Sequence, residues 1–550
     1  MKKTAIEIVP LLTLIVIYSF IAFYNLGNTQ SPQTAWTGTD TIIFDLGIEQ
    51  YISRFQFMNG ARNDEAFILF AMASESDNWD FQIQINQASV FSWYEQYMNI
   101  YAKYVAITPI GANLRLQEIA FRDRNDQLIY PIKPFAPGAE ALLDEQHLVP
   151  LRGGIMNSTY FDEIYHARAG YEYVHGLTVL EDTHPPMGKN FIALSIHTFG
   201  MTPFGWRFPG TVAGILMIPL MYIFGRMIFR SAFWGMFTAF IFTFDFMPFV
   251  QTRIATIDSY ITLFVIAAYV FMYAYIRDCE TLPLKKALLF LAGSGFFMGL
   301  AIASKWQGVY AAVGLAVIFF PALYRVYKQN EKDARITFFC CFAFFVAIPT
   351  AIYLLSYIPF ARTTESGFFA TVISNQQRMF SYHSELVEGH VFSSRWWEWP
   401  LIIRPIFYYV NIVSDTTRQG ISSFGNPAVW WVGIFATVKA VSTFKNKELA
   451  EHHRTLLFLL IAYAAQFVPW IFIFRATFIY HYFPSVPFVV LLIVFCLKTY
   501  VAPKHPRLVW CYGALVLGLF ILFYPILSGT PISVEFVHTF LRWLPAWVLV

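Results

Sequence analysis

The sequence predicts a polytopic α-helical membrane protein that carries one small β-sandwich outside the bilayer, and three observations predict it. The chain of 550 residues is 57% hydrophobic and only 13% charged, about half the charged fraction of a soluble globular chain, and its mean hydropathy is +0.49. Apolar runs of about 18 to 25 residues recur along it, each long enough to cross a hydrocarbon core about 30 Å thick. One stretch, 38–133, departs from this pattern with short runs in which polar and apolar residues alternate, the period of a half-buried strand. A soluble enzyme is excluded. With 38 Lys and Arg against 35 Asp and Glu the net charge is +3, too near balance to indicate a nucleic-acid partner.

The first element, about 1–26, begins with Lys2-Lys3 and has no small-residue cleavage site after Phe20, so it reads as a spanning helix that stays attached rather than a signal peptide. Further spans are expected at about 208–225, 231–250, 258–276, 287–304, 309–324, 336–358, 427–444, 455–474, 478–497 and 508–527, which makes about 11 in all. With the N-terminus in the cytoplasm, the short inner segments collect about 18 of the 38 basic residues, the bias that sets orientation. The long segments 27–207 and 359–426 and the tail 528–550 then face outward, and a multi-pass plasma-membrane protein is expected. The helical core is 208–527, with the segment 155–207 leading into it. The five cysteines form no CxxC pair, so they read as small buried hydrophobes rather than a disulfide framework or zinc site.

Within 38–133 the alternating runs are Thr41–Leu46, Tyr51–Phe57, Tyr104–Thr108 and Leu114–Phe121, separated by turn residues such as Asn59-Gly60 and Asp77-Asn78. The runs FDLGIEQYISRFQFMNG, ASESDNWD, KYVAITPIG and LRLQEIAF resemble the discoidin, or factor 5/8 type C, jelly roll. That resemblance implies a carbohydrate or other surface ligand on this domain; a structural module with no ligand fits the same residues.

Ionisable residues beside the bilayer are costly unless paired or functional, and they gather at the outer ends of the spans. Asp162 and Glu163 are adjacent carboxylates, followed about twenty residues later by Asp182-Thr-His184-Pro185-Pro186-Met-Gly188-Lys189, where the two prolines fix the backbone and hold His184 in place. Arg253 and Asp258 stand where the third and fourth spans meet, and Lys305 ends the fifth. An Arg and a Lys at one boundary suit a phosphate, while each alone suits snorkelling. The loop 359–426 adds His383 and Glu385, and three tryptophans, Trp396, Trp397 and Trp399, which read as interfacial anchors. Arg475 and His481 open a further span; the histidine fits a ligand role and an interhelical hydrogen bond equally.

In order along the chain, FDEIYHARAGYEY, THPPMGKN, GWRFPGTVAGILMIPL, FVQTRIATIDSY, ASKWQGVY, YHSE with SRWWEWP, and RATFIYHYFPSVPF resemble the protein O-mannosyltransferase family, glycosyltransferase family 39 of the GT-C fold. The similarity covers roughly residues 155–545. Eukaryotic members carry a MIR module in the loop after the seventh span, and the loop here is too short for one, so the likeness is to the bacterial branch. The resemblance implies transfer of a mannose, or another hexose, from a polyprenyl-phosphate donor to a Ser/Thr hydroxyl of protein, with inversion. Asp162 is then the expected general base. Arg253, with Lys305 second, is expected to hold the leaving phosphate. Glu163 either orients a substrate or shares a divalent ion, Mg²⁺ or Mn²⁺, with Asp162. His184, Lys189, Asp258, His383, Glu385, Arg475 and His481 are the candidates for the substrate groove. Two alternatives remain open on the sequence: a transferase that decorates a cell-envelope polymer or lipid, and a transporter of lipid-linked saccharide, which is disfavoured by the near absence of charge at mid-span.

Overall fold

The computed structural model describes residues 2–62, 64–73, 79–111, 113–385 and 389–550. The turn expected at Asp77-Asn78 lies outside the described residues. The chain divides into two compact units, one of Met1–Tyr24, His175–Ile192 and Arg207–Val550, the other of Asn25–Val174 and Ala193–Trp206.

The second unit is a β domain. Its strands are β1 (Trp36–Gly38), β2 (Ile42–Asn59), β3 (Ala66–Met72), β4 (Phe81–Asn86), β5 (Trp93–Ile110), β6 (Leu114–Arg122), β7 (Leu128–Ile129) and β8 (Lys133–Phe135). All join one sheet in the order β1-β6-β2-β5-β3-β4, with β7 on β6 and β8 on β2, where the sequence predicts two packed sheets. The reason lies in β2. Its first half pairs with β8 and its second with β6, so one long strand serves both neighbours. The runs Thr41–Leu46 and Tyr51–Phe57, expected as separate strands, are continuous here because the register slips between Asp45 and Gln50 instead of ending. Gly47 sits at that slip with φ +81°, a conformation that favours glycine, and the Asp45 carboxylate accepts its N–H at 2.7 Å. Phe44, Phe55, Phe57, Phe67 and Phe121 are buried together in its core, and rings of this size each remove a large apolar area from water.

The same unit contains α2 (Glu163–His175), whereas α1 (Lys2–Phe23) belongs to the helical unit. The remaining helices are α3 (Met187–Phe199), α4 (Pro203–Phe229), α5 (Ala232–Thr243), α6 (Phe246–Thr252), α7 (Asp258–Arg277), α8 (Leu284–Ser304) and α9 (Gly308–Gln329). They continue as α10 (Glu331–Ala361), α11 (Phe368–Glu385), α12 (Pro427–Thr443), α13 (Lys447–Phe472), α14 (Ile479–Val501) and α15 (Pro506–Ser528). Among the described residues eight helices, α4, α7 to α10 and α13 to α15, are long and apolar enough to cross a membrane, and the pair α5–α6, bent by 60°, makes a ninth if counted as one span. Of the remaining two expected runs, one falls on α12, which has 17 residues, and the other on α1, of which Ile8–Phe23 is an apolar helical stretch.

Tight backbone contact and buried polar pairing hold the bundle. Gly295 of α8 lies against the Phe344 carbonyl of α10, and a Cβ on Gly214 of α4 would stand 2.8 Å from Thr252 Cβ; small residues allow the close helix approach common in membrane interfaces. The α5–α6 bend is pinned by Asp245, whose carboxylate accepts the Asn426 N–H at 2.6 Å and the Trp430 indole at 3.1 Å. The segment 359–426 is not an open loop. It holds the amphipathic α11 and a hairpin of β9 (Ile406–Ile412) and β10 (Thr417–Ser423), to which the tail adds β11 (Ile532–Ser533). Trp547 of the tail is fully buried and donates to the Ile402 carbonyl at 2.7 Å.

Candidate active site

In the β-rich unit, Asp162 and Glu163 start α2. Phe161, immediately before them, has φ +50°, a left-handed conformation costing a non-glycine residue about 1–2 kcal/mol, and strain of this kind concentrates at functional sites. The Asp162 carbonyl accepts the His166 N–H at 3.1 Å, the first bond of the helix. Glu163 is buried, and its carboxylate reaches back to the Tyr160 N–H at 3.2 Å. Its negative charge also suits the positive end of the helix dipole.

In the helical unit, a network forms around a carboxylate that the sequence reading leaves out. Glu181 accepts the Lys189 ammonium at 2.5 Å through Oε2 and the His184 ring at 2.9 Å through Oε1. The carboxylate sets the tautomer of His184: Nδ1 carries the proton and Nε2 is the acceptor. Burial holds His184 below its ordinary pKa, against the pull of Glu181. His383 of α11 donates from Nε2 to the Thr183 carbonyl at 2.9 Å, and its ring meets that of His184 edge to face at 5.4 Å. Burial, followed by repulsion from His184 and Arg475, pushes the His383 pKa down to about 4. At neutral pH both rings are therefore uncharged.

The α8–α9 junction supplies the second half. Lys305, at the end of α8, pairs with Asp258 at the start of α7 at 2.8 Å and lies 5.4 Å from the centre of the Tyr480 ring. Trp306 donates its indole N–H to Tyr353 at 3.2 Å, and Tyr353 donates to Gln376 at 2.6 Å. These residues enclose a cavity of about 900 Å³ lined by His184, Pro185, Lys305, Trp306, Gln307, Tyr310, Tyr353, Gln376, His383, Trp470 and Arg475, within the usual size of a ligand site. Arg475 makes no hydrogen bond or ion pair among the described residues. Two acceptors of the lining, His383 Nδ1 and Gln307 Oε1, are buried without a partner, which is costly unless a ligand or water satisfies them. One wall runs out along Phe472, Ile473 and Phe474, and the Phe474 ring is 95% exposed.

The remaining expected site residues do not line this cavity. Arg253 donates from Nε to the Ala22 carbonyl at 3.1 Å and from Nη2 to that of Tyr24 at 2.8 Å, which closes the last carbonyls of α1. Lys189 is buried against Glu181 and Glu385 is exposed. His481 is buried, accepts the Phe478 N–H at 3.0 Å and packs on Trp470 at 4.4 Å; neither it nor Asp258 lines the cavity. Trp399, expected at the bilayer surface, is wholly buried, because Ser394 takes its indole N–H at 3.1 Å and Trp470 stands 5.5 Å from it. Trp397 is 45% exposed. Among the described residues Glu118, Asp144 and Glu145 of the β domain form a group of three carboxylates close enough together to hold a metal ion.

Residues 197–362 match the family model described as dolichyl-phosphate-mannose-protein mannosyltransferase, and 368–547 match that for the C-terminal four-span region of protein-O-mannosyltransferase. A polyprenol-phosphate-mannose--protein mannosyltransferase from Mycobacterium tuberculosis is 27% identical over 74% of this chain and 86% of its own. Its namesake in Corynebacterium glutamicum is 25% identical over 74% and 88%. Among solved structures, the Saccharomyces cerevisiae protein O-mannosyltransferase Pmt1-Pmt2 complex bound to the sugar donor aligns with a TM-score of 0.63 at 15% identity, covering 71% of this chain and 89% of the other.

Proposed function

Because the chain belongs to the protein O-mannosyltransferase family of GT-C membrane glycosyltransferases, we propose that the cavity beside Lys305 holds the sugar-phosphate end of its polyprenyl-phosphate-mannose donor. The observation that carries this is the pairing of two cations, Lys305 and Arg475, with two unsatisfied acceptors, His383 Nδ1 and Gln307 Oε1, in one lining. A sugar phosphate presents an anion to the first pair and hydroxyl donors to the second. The isoprenoid chain leaves along Trp470, Phe472 and Phe474, where an apolar tail meets apolar side chains. Lys305 and Arg475 are the phosphate holders of this cavity; Arg253, first expected in that role, gives two of its five N–H donors to carbonyls at the end of α1.

Asp162 is the proposed general base, on the family resemblance and on the strained turn that presents it. The acceptor hydroxyl oxygen attacks the anomeric carbon as its proton passes to the carboxylate. The bond from that carbon to the phosphate oxygen breaks, and the electron pair leaves with the phosphate. Inversion follows from this single displacement. Lys305 and Arg475 stabilise the charge that grows on the departing oxygens. The acceptor is a Ser/Thr hydroxyl of protein.

The end of α7 remote from Asp258 carries Arg277 and is flanked by Arg226, Arg230, Arg325 and Arg454. Placing this basic end in the cytoplasm puts the cavity on the outer face of the plasma membrane, with the N-terminus inside. The test is transfer of labelled mannose from polyprenyl phosphate to a Ser/Thr peptide by purified protein. Asp162→Asn is expected to lower turnover at least 10³-fold with insertion unchanged; near-normal turnover by the folded variant refutes the base. Arg475→Ala is expected to raise the donor KM more than the peptide KM. The same assay with EDTA, then with added Mg²⁺ or Mn²⁺, reads whether Asp162 and Glu163 act with a divalent ion.

A further inference from the structure

A second charged site lies at the other end of the helical unit. Helix α7 has 20 residues and is therefore about 30 Å long, which separates Arg277 at its end from the Asp258–Lys305 pair at its start. Around Arg277 are two adjoining cavities of about 360 and 510 Å³ that share Arg230 and Arg277 in their walls. Arg226 lines the first, while Arg325, Arg454 and Lys498 line the second. Against these six cations the lining contains one carboxylate, Glu451.

Local pairing does not neutralise the group. Arg277 takes Asp278 at 2.6 Å, Arg325 and Arg454 share Glu280 at 2.9 and 3.6 Å, and the Lys498 ammonium donates to the Phe229 carbonyl at 2.9 Å. Arg230 has no hydrogen bond or ion pair among the described residues. It also has φ +51° directly after α4, a position where glycine is the favoured residue. The sequence therefore places an unpaired guanidinium where its backbone is strained. The walls between the cations are apolar, and Val317 and Leu457 of the larger cavity are 50% and 52% exposed.

We infer that these cavities form one binding site for the phosphate headgroup of an anionic membrane lipid. Arg230 and Arg277 hold the phosphate, and the acyl chains run past Val317 and Leu457. A guanidinium fork binds phosphate bidentately, and basic pockets between spanning helices are suited to such headgroups. Basic residues that only set orientation need sit no deeper than the connecting loops. Here they line cavities walled by lipid-accessible apolar residues, the shape an amphipathic ligand requires. The site is separate from the donor cavity and does not depend on the role proposed there.

The experiment uses the full chain, purified in detergent and delipidated, with native mass spectrometry after exposure to phosphatidylglycerol, phosphatidylcholine or inorganic phosphate. The informative variant is Arg230→Gly, which removes the charge and suits the left-handed backbone, so the melting temperature is expected to hold or rise. The parent protein is expected to retain phosphatidylglycerol at least tenfold over phosphatidylcholine. Arg230→Gly is expected to lower that retention at least fivefold, while the exposed pair Lys445→Ala/Lys447→Ala leaves it unchanged. Equal retention of the two lipids, unchanged retention by Arg230→Gly, or full displacement by millimolar inorganic phosphate would overturn the assignment, the last in favour of a free-phosphate site.

Discussion

Lys189 and Lys305 are both buried lysines beside a carboxylate in the helical unit, with side chains 1% and 10% exposed, yet the structure treats them differently. An ammonium has three N–H donors. Lys189 uses all three, on Glu181 Oε2 at 2.5 Å, the Glu181 carbonyl at 2.8 Å and the His184 carbonyl at 2.9 Å. Lys305 uses one, on Asp258 Oδ1 at 2.8 Å, and lines the cavity. Lys189 is thus a saturated brace that sets the fold of the His184 turn, and Lys305 has donors left for an anion. Burial and charge do not separate the two residues; counting acceptors does.

The comparison breaks first at Lys189. Replacing Lys189 with Met leaves the Glu181 carboxylate buried without its cation, a loss of about 3–5 kcal/mol, so thermal unfolding in detergent is expected to shift far downward. An unchanged melting temperature would remove the brace. Lys305→Gln keeps a hydrogen-bond donor for Asp258 and removes the charge. Transfer at low donor concentration is expected to fall about 10²–10³-fold, with a smaller loss of thermal stability than Lys189→Met. If the ranking of the two variants in stability were reversed, the two lysines would have to exchange roles.

The histidines beside these lysines sharpen the contrast through pH. The folded pKa of His383, about 4, lies below the value of about 6.5 in an unfolded chain, so below pH 6.5 the unfolded state binds the proton more readily. The stability this neutral ring contributes is present above pH 6.5 and is lost as the pH falls from there to about 4, on the order of 2–3 kcal/mol. His184, also held down by burial, acts with the same sign. Melting temperature is expected to drop across this window in the parent protein and to drop less in His383→Gln. A flat profile in the parent would mean that the rings are solvated and already titrate normally.

What the sequence conveys about this molecule is its local chemistry. Hydropathy placed a helix on every expected run because a span is a property of about twenty consecutive residues. The β alternation in 38–133 was legible for the same reason, but the slip at Gly47 was not, since a bulge continues a strand that turn residues would end. Lys305 and Arg475 were legible as cations near helix ends. The bonds from Arg253 to the Ala22 and Tyr24 carbonyls were not, because those residues lie more than two hundred positions away. Glu181 is the clearest omission. It stands one residue before the Asp182-Thr-His184-Pro185-Pro186 motif, and its spacing of three to His184 and eight to Lys189 was the available signal. His481 and Trp399 show the converse, polar and aromatic residues whose exposure only tertiary packing decides.

The smallest expected effect comes from Glu385, which the sequence groups with His383 in one motif. In a helix of 3.6 residues per turn, positions two apart lie about 200° around the axis and face nearly opposite sides. His383 lines the cavity, and Glu385, at the last position of α11, is exposed. Glu385→Ala is therefore expected to change stability by less than about 0.5 kcal/mol and donor kcat/KM by less than about twofold. His383→Ala, by contrast, removes the Nδ1 acceptor and the bond to Thr183 and is expected to lower donor kcat/KM by about tenfold or more. A loss in Glu385→Ala equal to that in His383→Ala would show that α11 turns in the donor-bound state, and the cavity wall would then have to be redrawn around that rotation.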